Sequence, residues 1–274
     1  QDPSAHLGYL GGDDLRMLEP TLSWACREPS PFFLMMITSV SHDPFQVPAW
    51  FASPVRDRQQ AYLQSIRFTD HFLGELREAL RRRGIEERTI LCVLGDHGES
   101  FRFQGQGPRY IPYEEIIRVP WVISWPGRVP AGERIAWPCS QMDVAPTLAA
   151  LIGLDTTGLT FEGRDAFPPV AMDRKLYFAS WYARSPRGFV AGDRKYVYWP
   201  YTDKLFLYDL ENDPSEETPQ MIEGDEKIQV VAEVTAWVQE SRIHVPVRRF
   251  RQKMLYDHWQ TFASGRSAWA YYVP

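Results

Sequence analysis

Phe32–Ile37 is an unbroken run of six apolar residues, bounded by Pro31 and Thr38. A run without polar alternation reads as a strand buried on both faces, and such strands belong to parallel sheets covered by helices. A second run of the same kind, Thr89–Leu94, lies downstream. Between them, residues 57–83 carry Tyr62, Ile66, Thr69, Leu73, Leu76 and Leu80 at helical spacing, with Arg, Glu and Gln elsewhere and Gly84 as the stop. Strand, helix, strand is a βαβ unit, whose crossover is expected to be right-handed. A third strand, Val119–Trp125, ends at Pro126-Gly127, and Asp143 is expected to cap a helix that reaches Ile152 before Gly153. The class is therefore α/β, with a mostly parallel sheet flanked by helices.

Upstream of these runs, Asp13 or Asp14 caps an expected helix over Asp13–Cys26, on which Leu15, Leu18 and Leu22 recur. After residue 170 the period shortens. Leu176–Trp181, Gly188–Ala191, Lys195–Trp199 and Leu205–Leu210 read as short strands, with Gly192-Asp193-Arg194 as a hairpin turn. They form a small C-terminal antiparallel sheet, followed by a helix over Glu226–Glu240 with Ile228, Val231, Val234 and Val238 on one side. The aromatic tail, 242–274, is expected to wrap over a surface. Two parts follow: 1–170, the α/β part, and 171–274, the meander, helix and tail.

A net charge of -5 gives no overall reason to expect a nucleic-acid partner. The local cluster Arg248, Arg249, Arg251 and Lys253 reads as the solvated face of a terminal helix. Three cysteines, Cys26, Cys92 and Cys139, make neither a disulfide framework nor a zinc spacing. No apolar run is long enough to span a bilayer. Gln1-Asp2-Pro3 is no signal peptide and no Met stands first, so the chain reads as cut from something longer.

The chemistry centres on Leu94-Gly95-Asp96-His97-Gly98-Glu99. Ligands of open α/β sheets bind beyond the carboxyl ends of the strands. Neighbours in a strand point to opposite faces, so Asp96 and His97 converge on one ion only if the strand has already broken into a turn. The flanking glycines permit that turn. A carboxylate beside an imidazole suits Mn²⁺ or Zn²⁺, while Ca²⁺ or Mg²⁺ requires further carboxylates. The hexapeptide leaves open the alternative that Asp96 caps the next turn and His97 is a hydrogen-bonded loop residue. Ser39-Val40-Ser41-His42-Asp43-Pro44-Phe45 follows the first run, at the same edge of the expected sheet. His42 there can donate a hydrogen bond to an oxyanion or leaving group, or serve only as a turn residue. Arg109, after Gly105-Gln106-Gly107-Pro108, can clamp a sulfate or phosphate. Glu114 or Glu115 is expected to pair with Arg118.

Taken in order, "PFFLMMITSVSHDPF", "YLQSIRFTDHFLGELREALRRRGIEERTILCVLGDHGESF", "YEEIIRVPWVISWPG", "QMDVAPTLAALIGL" and "RKYVYWPYTDKLFLYDLENDPSEETPQ" resemble the sulfatase-like branch of the alkaline phosphatase superfamily. "GGDDLRMLEP" and "SVSHDPF" resemble its phosphoglycerol transferases, which build lipoteichoic acid. The resemblance implies an alkaline phosphatase-like fold and hydrolysis of a sulfate or phosphate ester at one divalent metal ion (Ca, Mn, Mg or Zn). The nucleophile would be a formylglycine, Thr or Ser. Carried over by position, Asp96 and His97 are metal ligands, His42 contacts the head group or leaving group, and Arg109 stands where the family usually has a Lys. Gln104, where many sulfatases have His, departs from the pattern. An extracytoplasmic location is implied, with any membrane anchor in the missing N-terminal part.

The family's nucleophile and first metal-binding acids lie upstream of the equivalent of Phe32. Cys26-Arg27-Glu28-Pro29-Ser30-Pro31 does not match Cys-x-Pro-Ser-Arg, and Cys26 reads as the end of a helix. Two protein ligands where about four or more are normal imply weak metal binding and negligible turnover by this polypeptide alone. The N-terminal half of the same protein is thus an expected partner, together with the ester substrate. Two alternatives stand beside the hydrolase: a phosphoglycerol or phosphoethanolamine transferase of the same fold, and a non-catalytic interaction module on a decayed scaffold.

Overall fold

The structure is a computed structural model that describes residues 6–7, 11–29, 31–102, 111–179 and 186–243. The chain divides into two compact units, Gln1–Arg134 and Ile135–Pro274. Residues 135–170 fall in the second unit. Within it, Trp137 Nε1 donates to Ala166 O, and Arg174 reaches back to Asp143.

In the first unit, β1 (His6–Leu7) and β2 (Gly11–Gly12) pair antiparallel. Asp13 then accepts a hydrogen bond from Leu15 N and caps a 3-10 turn that leads into α1, Leu18–Ala25. Cys26 is the exposed residue that ends α1. Next comes α2, Arg58–Arg82, capped by Asp57 through Gln60 N and ended at Gly84 with φ +66°. Leu22 of α1 packs on Phe72, Leu76, Ala79 and Leu80 of α2. The buried stripe of α2 runs through Phe68 and Phe72, whereas Ile66, expected inside, is exposed. Both stripes have helical spacing; the aromatic one has more apolar area to remove from water.

The strand expected over Phe32–Ile37 is not formed. Segment 31–38 pairs with no strand among the described residues, and Phe33 is 80% exposed. Only Met36 packs on the first core, and Phe32 meets the Trp24 ring edge-on. β3 (Leu91–Leu94) pairs instead with β4 (Trp121–Ser124), antiparallel, with Leu94 opposite Trp121. The helices and sheets are those of an α/β chain, but every strand pair among the described residues is antiparallel. Without a partner for 31–38, the parallel crossover has only one of its two strands. Between β3 and β4 lies the single-turn helix α3, Glu114–Ile117.

In the second unit, Ser140 rather than Asp143 supplies the side-chain cap: it accepts from Met142 N, and Asp143 accepts from Ser140 N. α4 follows over Val144–Leu151, and Gly153 closes it at φ +66°. Asp143 is fully buried and turns its carboxylate onto Arg174 and Arg164 N. The meander is β5 (Leu176–Ala179), β6 (Arg187–Ala191), β7 (Arg194–Trp199), β8 (Lys204–Asp209) and β9 (Gln220–Ile222), in that spatial order. β9 gave no periodic signal because it is only three residues long. α5, Gly224–Ile243, covers the meander with Val230 and Val234 against Phe189, Tyr196, Leu205, Leu207 and Ile222. Ile228, expected on that side, is exposed. From residue 244 on, the tail, with its basic cluster, lies outside the described residues. Among the described residues, no helix is long and apolar enough to cross a membrane.

Candidate functional site

The end of β3 carries the centre. Gly95 N still donates to Pro120 O at 3.1 Å, which prolongs the β3–β4 ladder by one residue. The chain then turns, and the side chains of Asp96 and His97 are 91% and 59% exposed. Asp96 Oδ1 accepts from His97 N at 2.9 Å, and Asp96 Oδ2 lies 3.8 Å from His97 Nε2. Ligand atoms bound at about 2.0–2.6 Å can stand no more than about 4–5 Å apart across one ion, so this pair is within reach of a shared cation. His97 Nδ1 lies 2.7 Å from Gly98 O. A carbonyl only accepts, so Nδ1 carries a proton, and in the neutral ring Nε2 holds the lone pair. That is the arrangement in which a backbone carbonyl orients a metal-binding imidazole.

Gly98 fixes where this turn sits. Its N–H donates to Ile116 O at 2.7 Å, and a Cβ at Gly98 would lie 2.0 Å from Glu115 O. No side chain fits there without parting the turn from α3. Gly98→Ala is expected to cost about 2–3 kcal/mol. Gly95→Ala, whose Cβ would meet Val119 Cβ at 3.1 Å, should cost less than half of that. Denaturant midpoints of the two variants check the ranking, and equal midpoints would contradict it.

His42 sits in a tight turn, with His42 N donating to Ser39 O and Phe45 N to His42 O. The turn hangs on Asp14, a 3% exposed carboxylate. Asp14 accepts from Ser39 N at 3.0 Å, Ser39 Oγ at 3.1 Å and Val40 N at 3.1 Å. Burial pushes the Asp14 carboxyl above its ordinary value, and these hydrogen bonds offset only part of that rise. His42 Nδ1 lies 2.8 Å from Asp43 O, so here too Nδ1 carries a proton. The two turns are joined by Arg58. Its guanidinium donates to Asp43 Oδ1 at 3.0 Å and to Glu99 Oε1 at 3.4 Å.

Arg109 and Gln104 lie outside the described residues. Glu115 does not pair with Arg118; it accepts from Arg102 Nε at 2.9 Å and from Ser100 Oγ, while Arg102 covers the Tyr113 ring. Arg118 instead closes α3 through its backbone N–H to Glu114 O. Among the described residues, no group of three or more His, Cys, Asp or Glu converges as a metal site. Asp96 and His97 thus fit a divalent ion by donor type and spacing, but two donors alone do not complete a coordination set. Asp14 and Arg58 escaped the reading of the sequence. Asp14 resembled one more helix cap, and Arg58 one more solvated charge at a helix start.

The sulfatase family model, described as Sulfatase, matches residues 1–154. The choline-sulfatase of Rhizobium meliloti (strain 1021) is 30% identical over 203 residues, which cover 70% of this chain and 38% of that protein. The chain thus spans well under half the length of that relative. A crystal structure of an alkaline phosphatase superfamily protein from Vibrio parahaemolyticus superposes with TM-score 0.64 at 21% identity, covering 86% of this chain and 55% of that one. The lipoteichoic acid synthase structure from Listeria monocytogenes gives TM-score 0.65 at 17% identity over 91% and 63%. The fold is alkaline phosphatase-like, and with more than half its length matched by the family model the chain belongs to the sulfatase family.

Proposed function

We propose that this chain supplies one side of the active site of a metal-dependent sulfuric or phosphoric ester hydrolase. The observation that carries the reading is the pair at the end of β3, with Asp96 Oδ2 and His97 Nε2 3.8 Å apart on an exposed turn. Membership of a family of ester hydrolases supports it. Asp96 and His97 would hold a divalent ion (Ca, Mn, Mg or Zn), which when bound supplies positive charge to the anionic head group of the ester. His42 would meet the head group or the leaving oxygen: with Nδ1–H held by Asp43 O, Nε2 is the ring nitrogen left to act as donor when it carries a proton. Arg109 would clamp the sulfate or phosphate. We place the nucleophile and the remaining metal ligands in the part of the protein that precedes this sequence, and the protein itself outside the cytoplasm.

Calorimetric titration of the full-length protein with Mn²⁺, Ca²⁺, Mg²⁺ and Zn²⁺ tests the metal assignment. Asp96→Ala should weaken binding of the preferred ion by more than about tenfold, since even residues that only support a ligand are worth that much. Unchanged affinity would remove Asp96 from the site.

A transferase of the same fold is the second reading, since a lipoteichoic acid synthase shares that fold. Product analysis with water and with a glycan or lipid hydroxyl as acceptor separates the two. Transfer that outpaces hydrolysis would assign the transferase. An ion-binding protein with neither activity would be the interaction module.

A further inference from the structure

We propose that Arg58 is a positioning residue that locks the His42 turn to the Asp96–His97 turn, so that the two reach the substrate as one body. The inference rests on the reading of those turns as an active site. Arg58 lies in the first turn of α2, directly after the capping Asp57. Each turn offers it one carboxylate and one ring. From the first come Asp43 Oδ1, 3.0 Å from Nη2 and 3.2 Å from Nε, and the Phe45 ring, 4.9 Å from Cζ. From the second come Glu99 Oε1, 3.4 Å from Nη2, and the Phe101 ring at 5.7 Å.

The two sets correspond. Asp43 and Phe45 follow His42 by one and three residues; Glu99 and Phe101 follow His97 by two and four. One turn further along α2, Tyr62 packs on both rings, 5.2 Å from each. Phe45 is buried and holds φ +60°, a conformation a bulky residue adopts only when its surroundings impose it. The fixed fork of a guanidinium can engage two carboxylates while its faces lie on aromatic rings. An ammonium is a point charge and cannot hold all four. The surface alternative, an ion pair that only tethers the start of α2, would involve one carboxylate and neither turn's ring.

Histidine-ring NMR of the full-length protein tests the lock, with resonances assigned by substituting His42, His71 and His97 in turn. Glu99→Gln should move the His42 resonance, and Asp43→Asn the His97 resonance. In an Arg58→Met background both cross-effects should fall to less than about half. Should that variant fail to fold, Arg58→Lys decides alone, because it keeps the charge and loses the fork. Cross-effects undiminished in Arg58→Lys would overturn the proposal. So would an equal response of His71, which is stacked on Phe51 at 5.8 Å, since that would report general loosening. Titrating the unsubstituted protein with the four ions while following His97 tests the underlying site separately: no response to any ion defeats the metal assignment and leaves the cross-effects to be read on their own.

Discussion

Asp143→Ala should lower stability at neutral pH by about 3–5 kcal/mol, the cost of breaking a buried ion pair from one side. Asp143 is 0% exposed, and its carboxylate meets the Arg174 fork with Oδ2–Nη1 and Oδ1–Nη2 both at 2.7 Å. It also accepts from Ser140 N and Arg164 N at 2.8 Å. Alanine strands the guanidinium and both backbone donors, in the unit where α4 must be fixed to the approach to β5. Burial alone would push this carboxyl up, but the Arg174 fork and the two backbone N–H groups outweigh it and hold it below the ordinary carboxylate range. A carboxyl that is the stronger acid in the folded state contributes its full stability above about pH 4. As pH falls through the lower folded value, that contribution is lost. Guanidinium denaturation at pH 7 and below pH 4 should show a large gap between the two proteins that narrows in acid. A gap below about 1 kcal/mol at pH 7 would mean that Arg174 finds another partner.

A comparable loss, about 3–5 kcal/mol, is expected for Lys195→Met. Lys195 Nζ and Glu216 Oε1 are 2.7 Å apart, with side-chain exposures of 0% and 1%. Methionine fills the same volume, so the cost is that of a carboxylate left buried beside β7. Adding Glu216→Leu removes the stranded charge and should restore most of the loss, because apolar replacement of both partners of a buried pair is often neutral or better. Denaturant midpoints of the two single variants and the double variant close the cycle. If the double variant were no more stable than Lys195→Met, the loss would come from packing rather than from charge.

What could be read from the sequence was whatever a short stretch decides for itself. Asp57 and Gly84 bracket α2, Gly153 ends α4, and Gly192 turns β6 into β7, each for a local reason of capping or backbone conformation. The Asp96–His97 turn belongs to the same group, because glycines on either side announce a break at the end of an apolar run. Choices made by a partner were not readable. Two stripes of α2 have helical spacing, and Leu22 of α1 selects the one with Phe72. Val230 rather than Ile228 faces the meander because Phe189 and Ile222 are there to receive it. Glu115 finds Arg102, 13 residues before it, rather than Arg118 beside it in sequence. Arg58 is the clearest case: its meaning comes from two turns that lie 15 and 41 residues away from it.

Segment 31–38 has a consequence for how the cell would treat this polypeptide. It is a ribbon of Phe33, Met35 and Ile37, exposed to water and without a ladder partner among the described residues. Extended apolar backbone of this kind templates strand addition and self-association. It is also the chemistry that holdase chaperones and quality-control proteases bind. Whenever this ribbon stands uncovered, it offers such factors a place to bind, and the lifetime of the chain then depends on how long it stays uncovered.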